Sequence, residues 1–202
     1  MDLSGEVRTH TVSERDENEA DLIVRARQGD ERAWEQLVRQ HQEPVFRLAY
    51  LVLGTGDAAE AGDIAQESLI RAYLKLDQYD EERPFRPWLL SIAANLARNR
   101  RRSLGRYWAA VQRLWQASPE PVSTNRYEER EKAQALWMAV RRLRPAEQEI
   151  IYLRYFLDLS EAETATALEV APGTVKSRTH RALKRLRLVI EREFPHLRED
   201  FE

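Results

Sequence analysis

Apolar residues recur at three- and four-residue steps along most of this chain. Leu22, Ile23 and Ala26 lead into Ala33, Trp34, Leu37 and Val38, then Val45, Phe46, Leu48, Ala49 and Val52. That spacing predicts amphipathic helices from Asp21 onward. Gly54-Thr55-Gly56-Asp57 breaks the run, and Ile64, Ala65, Leu69, Ile70, Tyr73 and Leu74 open another helix. A polar, turn-like stretch from Asp77 to Pro84 follows. Trp88, Leu89, Ile92, Ala93 and Leu96 then make a helix that runs out into Arg98, Arg100, Arg101 and Arg102. Periodicity resumes at Glu131 with Ala135, Leu136, Ala139, Val140 and Leu143. Pro145 interrupts it, and Ile150, Ile151, Leu153 and Tyr155 restart it. The sequence has no alternating β-branched run of strand length and no internal repeat. The expected fold is all-α, with two small helical domains joined by a flexible linker.

The breaks in the pattern set the expected boundaries. Residues 1–20 carry Asp2, Glu6, Glu14, Asp16, Glu17 and Glu19 with few apolar side chains, which reads as a mobile acidic tail. Residues 21–105 form the first domain. Residues 106–130 form the linker, because Ala117-Ser118-Pro119-Glu120-Pro121 cannot continue a helix. Residues 131–196 form the second domain and residues 197–202 a short tail.

The second domain holds the strongest chemical signal. Ser160 can cap a short helix, with Glu163 at the capping-box position. Pro172 suits the first turn of a second helix. On that helix Val175, Thr179, Ala182, Leu183 and Leu186 share a face expected to pack inward. Ser177, His180, Arg181 and Lys184 share another, at i, i+3, i+4 and i+7. No acid occurs from Val170 to Ile190, while Lys176, Arg178, Arg181, Lys184, Arg185 and Arg187 all fall inside. Helix, tight turn and cationic helix make a helix-turn-helix, whose second helix enters the DNA major groove. Ser177, His180 and Arg181 are the candidate base readers. Lys176, Arg178, Lys184 and Arg185 are candidates for phosphate contact, which sets register and affinity.

Overall charge alone would argue against a nucleic acid partner. The 202 residues sum to a net charge of −2. Its distribution reverses that conclusion, because acids and bases are segregated along the chain. A second cationic cluster, Arg98 to Arg106, has five arginines and no acid. The absence of cysteine excludes disulfides, thiolate zinc sites and thiol catalysis, and fits a reducing cytoplasm. No signal peptide pattern opens the sequence, and no apolar run is long enough to span a bilayer. Gly54-Thr55-Gly56 lacks a third glycine and follows a helix, so it is no nucleotide fingerprint. His10, His41, His180 and His196 have no metal-ligand spacing. No enzyme activity, metal or cofactor is expected.

Gly173-Thr174-Val175-Lys176-Ser177-Arg178, followed by Arg181-Ala182-Leu183-Lys184-Arg185-Leu186, resembles the promoter −35-reading helix of extracytoplasmic-function (ECF) sigma factors. Leu153 to Ser160 resembles that domain's approach to its helix-turn-helix. Asp63-Ile64-Ala65-Gln66-Glu67 with Ala72-Tyr73 resembles the family's core-polymerase-binding helix. Phe85-Arg86-Pro87-Trp88-Leu89-Leu90-Ser91-Ile92-Ala93-Ala94-Asn95, with Arg98-Asn99, resembles its −10-reading helix. The resemblance covers Asp21 to Phe194.

It implies an RNA polymerase sigma factor that directs promoter recognition, DNA melting and transcription initiation. Asp63, Gln66 and Glu67 would dock on the clamp helices of the largest subunit of core RNA polymerase. Asn95, Arg98, Asn99, Arg101 and Arg102 would meet the −10 element. The loop from Leu76 to Phe85, with Tyr79 and Phe85, would take a base flipped from the melting duplex, although each of these two aromatics taken singly suits core packing better. Promoter DNA, double-stranded and melted, is then a partner, and an anti-sigma factor is a further candidate. The expected location is the bacterial cytoplasm, associated with the nucleoid. A linker of about 25 residues reaches ~80–90 Å at most. Two sites two turns of DNA apart need about 70 Å, so both domains can engage one promoter.

Four positions depart from the family pattern. Glu169 stands where glycine often makes the turn, Thr164 replaces an apolar residue, Ala171 offers no capping oxygen and Gln148 replaces a common basic residue. The competing expectation is a helix-turn-helix regulator that acts without polymerase. It differs in predicting tight duplex binding by the chain alone.

Overall fold

Helix α2, Glu31–Leu53, is set at both ends by local chemistry. The Asp30 carboxylate accepts from the amides of Arg32 and Ala33 at 3.0 and 3.2 Å, and Gly54 closes the helix in a left-handed conformation. The Arg25 guanidinium, hydrogen-bonded to Asp30, holds that carboxyl below the usual carboxylate range. Along α2, Ala33, Leu37, His41, Val45, Leu48, Ala49 and Val52 are buried and form one stripe. Around it pack α1, Ser13–Arg27, α3, Ala58–Leu74, and α4, Phe85–Val111. Helix α3 contributes Ala61, Ala65 and Ala72, small residues that let it approach closely. Helix α4 contributes Phe85, Leu89, Leu90, Ala93, Ala94 and Ala97. Truncating a fully buried leucine here, such as Leu37 or Leu90, would cost about 2–5 kcal/mol.

This computed structural model describes residues 13–54, 56–111 and 127–200, with side chains described for 19–54, 56–103 and 132–197. Among the described residues there is no strand, and the all-α expectation holds.

The second group of helices is α5, Tyr127–Arg141, α6, Pro145–Ile151, α7, Glu161–Leu168, and α8, Pro172–Glu193. Between α6 and α7 the chain widens into a π-helical turn over Tyr152–Phe156, where the Leu157 amide donates to the Tyr152 carbonyl at 3.0 Å. Trp137, Tyr152 and Phe156 pack there as an aromatic cluster. Burial pushes the Tyr152 phenol up to about 12. Gln148 is buried and donates to the carbonyls of Arg141 and Leu143 at 3.1 and 2.8 Å. The amide thus satisfies carbonyls at and just beyond the end of α5, and its burial suits a neutral residue at that position.

Several expectations need correction. Helix α1 begins at Ser13, inside the segment read as a tail, and Glu19 is hydrogen-bonded to His41 at 2.7 Å. The remaining tail residues, 1–12, lie outside the described residues. Helix α4 continues to Val111 and α5 starts at Tyr127, so only residues 112–126 of the expected linker lie outside the described residues. Leu197, in the expected C-terminal tail, is buried. Leu183 is 39% exposed rather than packed inward. The buried stripe of α8 runs through Val175, Ala182, Leu186 and Ile190, and one residue's rotation carries Leu183 past its edge. Ile70, Tyr73 and Leu74 are likewise exposed on α3.

Candidate nucleic-acid and polymerase interfaces

The helix-turn-helix is built as its residues dictate. Ser160 Oγ accepts from the Glu163 amide at 3.1 Å, and the Glu163 carboxylate accepts from the Ser160 amide at 2.7 Å. Glu169 ends α7 at a φ of 55°, the left-handed conformation that glycine adopts without strain. Ala171 then precedes Pro172 with no side-chain cap. Helix α8 buries its apolar stripe against α6 and α7. Lys176, Ser177, His180, Arg181, Lys184 and Arg185 are left exposed, and Arg178 is half-buried. Among the described residues, no acid pairs with Lys176, Arg178, Arg181 or Lys184. Arg185 meets Glu147 at 3.4 Å.

On α4 the cations are differently placed. Arg98 Nη1 donates to Glu149 at 2.8 Å, and its other Nη donates to Asn95. Arg101 donates to the Val52 carbonyl at 3.0 Å and lies 3.8 Å from the same Glu149. Arg102 donates to Asn99, and Arg100 pairs with Glu60. Glu149 belongs to α6, and its side chain is only 6% exposed. Arg86 of α4 also reaches the second group, donating to the Leu157 carbonyl at 2.8 Å. Arg98, Arg101 and Arg102 line one cleft of about 460 Å³ together with Arg178 of α8. The two cationic ridges therefore meet, with Glu149 between them.

Tyr79 and Phe85, expected to take a flipped base, are 6% and 1% exposed. They pack on Trp88 and on each other, with ring centroids 4.9 to 5.4 Å apart. Burial pushes the Tyr79 phenol up to about 12. In this arrangement both rings belong to the core, and the outward side chains of the loop are Asp77, Gln78 and Asp80 to Pro84.

The third candidate surface lies on α3. Asp63, Gln66 and Glu67 are exposed, and Glu67 pairs with Arg71. Beside them a groove of about 470 Å³ runs between α2 and α3, lined by Val38, Gln42, Phe46, Ala65, Gln66 and Leu69. Exposed Ile70, Tyr73 and Leu74 extend the apolar area.

Comparison with known proteins matches these surfaces to two family models, "Sigma-70 region 2" over residues 37–107 and "Sigma-70, region 4" over residues 133–186. The chain is 31% identical over 179 residues to ECF RNA polymerase sigma factor SigW of Bacillus subtilis, spanning 82% of this chain and 92% of SigW. It is 34% identical over 157 residues to ECF RNA polymerase sigma factor SigL of Mycobacterium tuberculosis, spanning 77% of this chain and 87% of SigL. The chain belongs to the ECF sigma factors. Two solved structures share the sigma factor's fold. One is CnrH in complex with the cytosolic domain of CnrY, with a TM-score of 0.64 and 24% identity over 87% of this chain and 99% of CnrH. The other is RpoE of Bartonella quintana in complex with the anti-sigma factor NepR, with a TM-score of 0.62 and 22% identity over 79% of this chain and 97% of RpoE.

Sequence reasoning missed Glu149, Arg86 and Arg27 in this sigma factor. Only the acid's place at the head of an apolar run, directly before Ile150-Ile151, hinted that it would be buried. Arg27 precedes the region 2 match altogether, and its contacts lie about fifty residues away.

Proposed function

We propose that this sigma factor reads a promoter at two places while it is held on core RNA polymerase. In this reading residues 21–105 are the polymerase- and −10-binding domain and residues 131–196 the −35-binding domain. Ser177, His180 and Arg181 read base edges in the major groove. Lys176, Arg178, Lys184 and Arg185 hold phosphates. Asn95, Arg98, Asn99, Arg101 and Arg102 meet the −10 element, and residues 76–84 meet one unstacked base there.

The observation that carries the reading is the face of α8. It is the second helix of a helix-turn-helix, it is exposed, and its foremost cations have no acid partner among the described residues. Desolvated phosphate or guanine is the chemistry such a face suits. The acidic Asp63–Glu67 side of α3, next to exposed Ile70 and Leu74, suits a basic partner helix with an apolar seam. An anti-sigma protein is the proposed inhibitor, by likeness to the RpoE–NepR pair. The proposed location is the cytoplasm, on polymerase and nucleoid DNA, and the proposed role is initiation rather than catalysis.

Run-off transcription with core polymerase on a promoter library tests the whole. The expected result is initiation from a subset sharing two spaced elements. Initiation from none rejects the reading. Replacing Gln66 and Glu67 together by alanine should weaken core binding about tenfold in a pull-down titration. Unchanged binding would reassign the polymerase face.

A further inference from the structure

Arg27, the last residue of α1, spends its whole guanidinium on the loop that leads into α4. Its Nε donates to the Leu76 carbonyl at 2.8 Å. One Nη donates to the Tyr79 carbonyl and the other pairs with Glu81. The guanidinium also lies over the Tyr79 ring, 5.8 Å from its centroid. Five planar donors in a rigid fork suit this three-way grip, whereas a lysine ammonium on a flexible stem does not.

The loop is fastened at other points too. The Tyr79 hydroxyl donates to the Arg83 carbonyl, and Asp80 accepts from the Glu82 amide at 3.1 Å. Helix α1 is also linked to the end of the loop through α2, because Glu19 bonds His41 and the His41 ring lies 5.2 Å from the Phe85 ring. With Tyr79 and Phe85 held inside, the loop's backbone shape decides how Asp77, Gln78 and Asp80 are presented.

We infer that Arg27 is the positioning residue of the 76–84 loop: by holding the carbonyls of Leu76 and Tyr79 it fixes the conformation in which that loop meets one unstacked base of the −10 strand. The inference rests on the proposed contact between this loop and melted DNA, and it adds α1 to the promoter-reading apparatus. Ordering a contact in advance removes its cost at the moment of binding, and a small misplacement is expensive.

The test uses holoenzyme reconstituted from core polymerase and the full chain as wild type, Arg27→Gln, Arg27→Lys or Glu81→Gln. Each is assayed for open-complex formation on one promoter. A parallel set of promoters carries a single abasic nucleotide at each −10 position of the non-template strand. Thermal melting and core affinity are recorded for every variant. Arg27→Gln should lose about tenfold on the intact promoter with core affinity unchanged. At one −10 position the abasic template should abolish the difference between variant and wild type. Arg27→Lys should recover only part of the loss. Glu81→Gln cuts one exposed arm and should show the same pattern more weakly. It decides the matter if Arg27→Gln fails to fold. An equal loss on every template, abasic ones included, overturns the positioning role, and so does Arg27→Gln behaving as wild type. A wild type indifferent to every abasic substitution defeats the loop's contact with DNA itself, a separate outcome.

Discussion

The cationic ridges of α4 and α8 have similar composition and opposite circumstances. On α8, Lys176, Arg178, Arg181 and Lys184 have no acid partner among the described residues. On α4, Arg98 and Arg101 converge on the buried Glu149, and Arg100 pairs with Glu60. One ridge is presented, and the other is occupied by the chain's own groups. A density of arginines in sequence therefore measures neither exposure nor available charge. The acids that neutralise the α4 ridge come from α3 and α6, far away along the chain.

Three substitutions separate the two ridges, the largest effect belonging to the exposed one. Arg181→Ala should reduce discrimination at the upstream promoter element by roughly 5- to 150-fold, the range for losing one bidentate base contact. Transcription from promoters substituted singly in that element measures it, and an unaltered preference rejects the assignment. The covered ridge should respond in the other direction. Glu149→Gln removes the carboxylate that Arg98 and Arg101 share. Duplex binding by the chain without polymerase should strengthen about tenfold, with a salt slope steeper by about one. The melting temperature should fall at the same time, because a buried ion pair has lost one partner. A lower melting temperature with no gain in binding would mean that Glu149 does not compete with phosphate. The smallest effect tests the scaffold of the exposed ridge. Thr164 is fully buried in α7, and its hydroxyl has no partner among the described residues. Thr164→Val should stabilise the second group of helices by about 1 kcal/mol, read by denaturant unfolding. A destabilised variant would point to a hydrogen bond made by that hydroxyl.

Helices with a strong apolar period were legible in the sequence, since burial of one stripe dictates both their existence and their facing. The capping box at Ser160 and the proline opening α8 were legible for the same kind of reason, being contacts within one turn. The first turns of α1, from Ser13 to Ala20, were not, because they are dense in acids and their reward comes from tertiary contacts such as Glu19 with His41. Tyr79 and Phe85 show another limit. An aromatic residue in a polar loop suits either a stacking surface or the core, and only its distant neighbours, here Trp88 and His41, decide for the core. The grip of Arg27 on the Leu76 carbonyl spans 49 residues and has no local signature. Residue type announced which side chains could touch DNA, while long-range geometry decided which are at liberty to do so.

The cleft shared by Arg98 and Arg178 sets a condition on how a whole promoter can be held. Elements two helical turns apart demand a separation of about 70 Å, and residues that line one cleft cannot span it. On the two-site reading proposed above, a fully engaged chain would be a longer object than this one, with Arg86 parted from Leu157 and Arg98 from Glu149. On the proposed −10 contacts, parting them would let water return to the Glu149 carboxylate while phosphate oxygens take its place beside the arginines. Unfurling along the double helix would then be an exchange of one anion for another, with a penalty smaller than the number of severed bonds suggests.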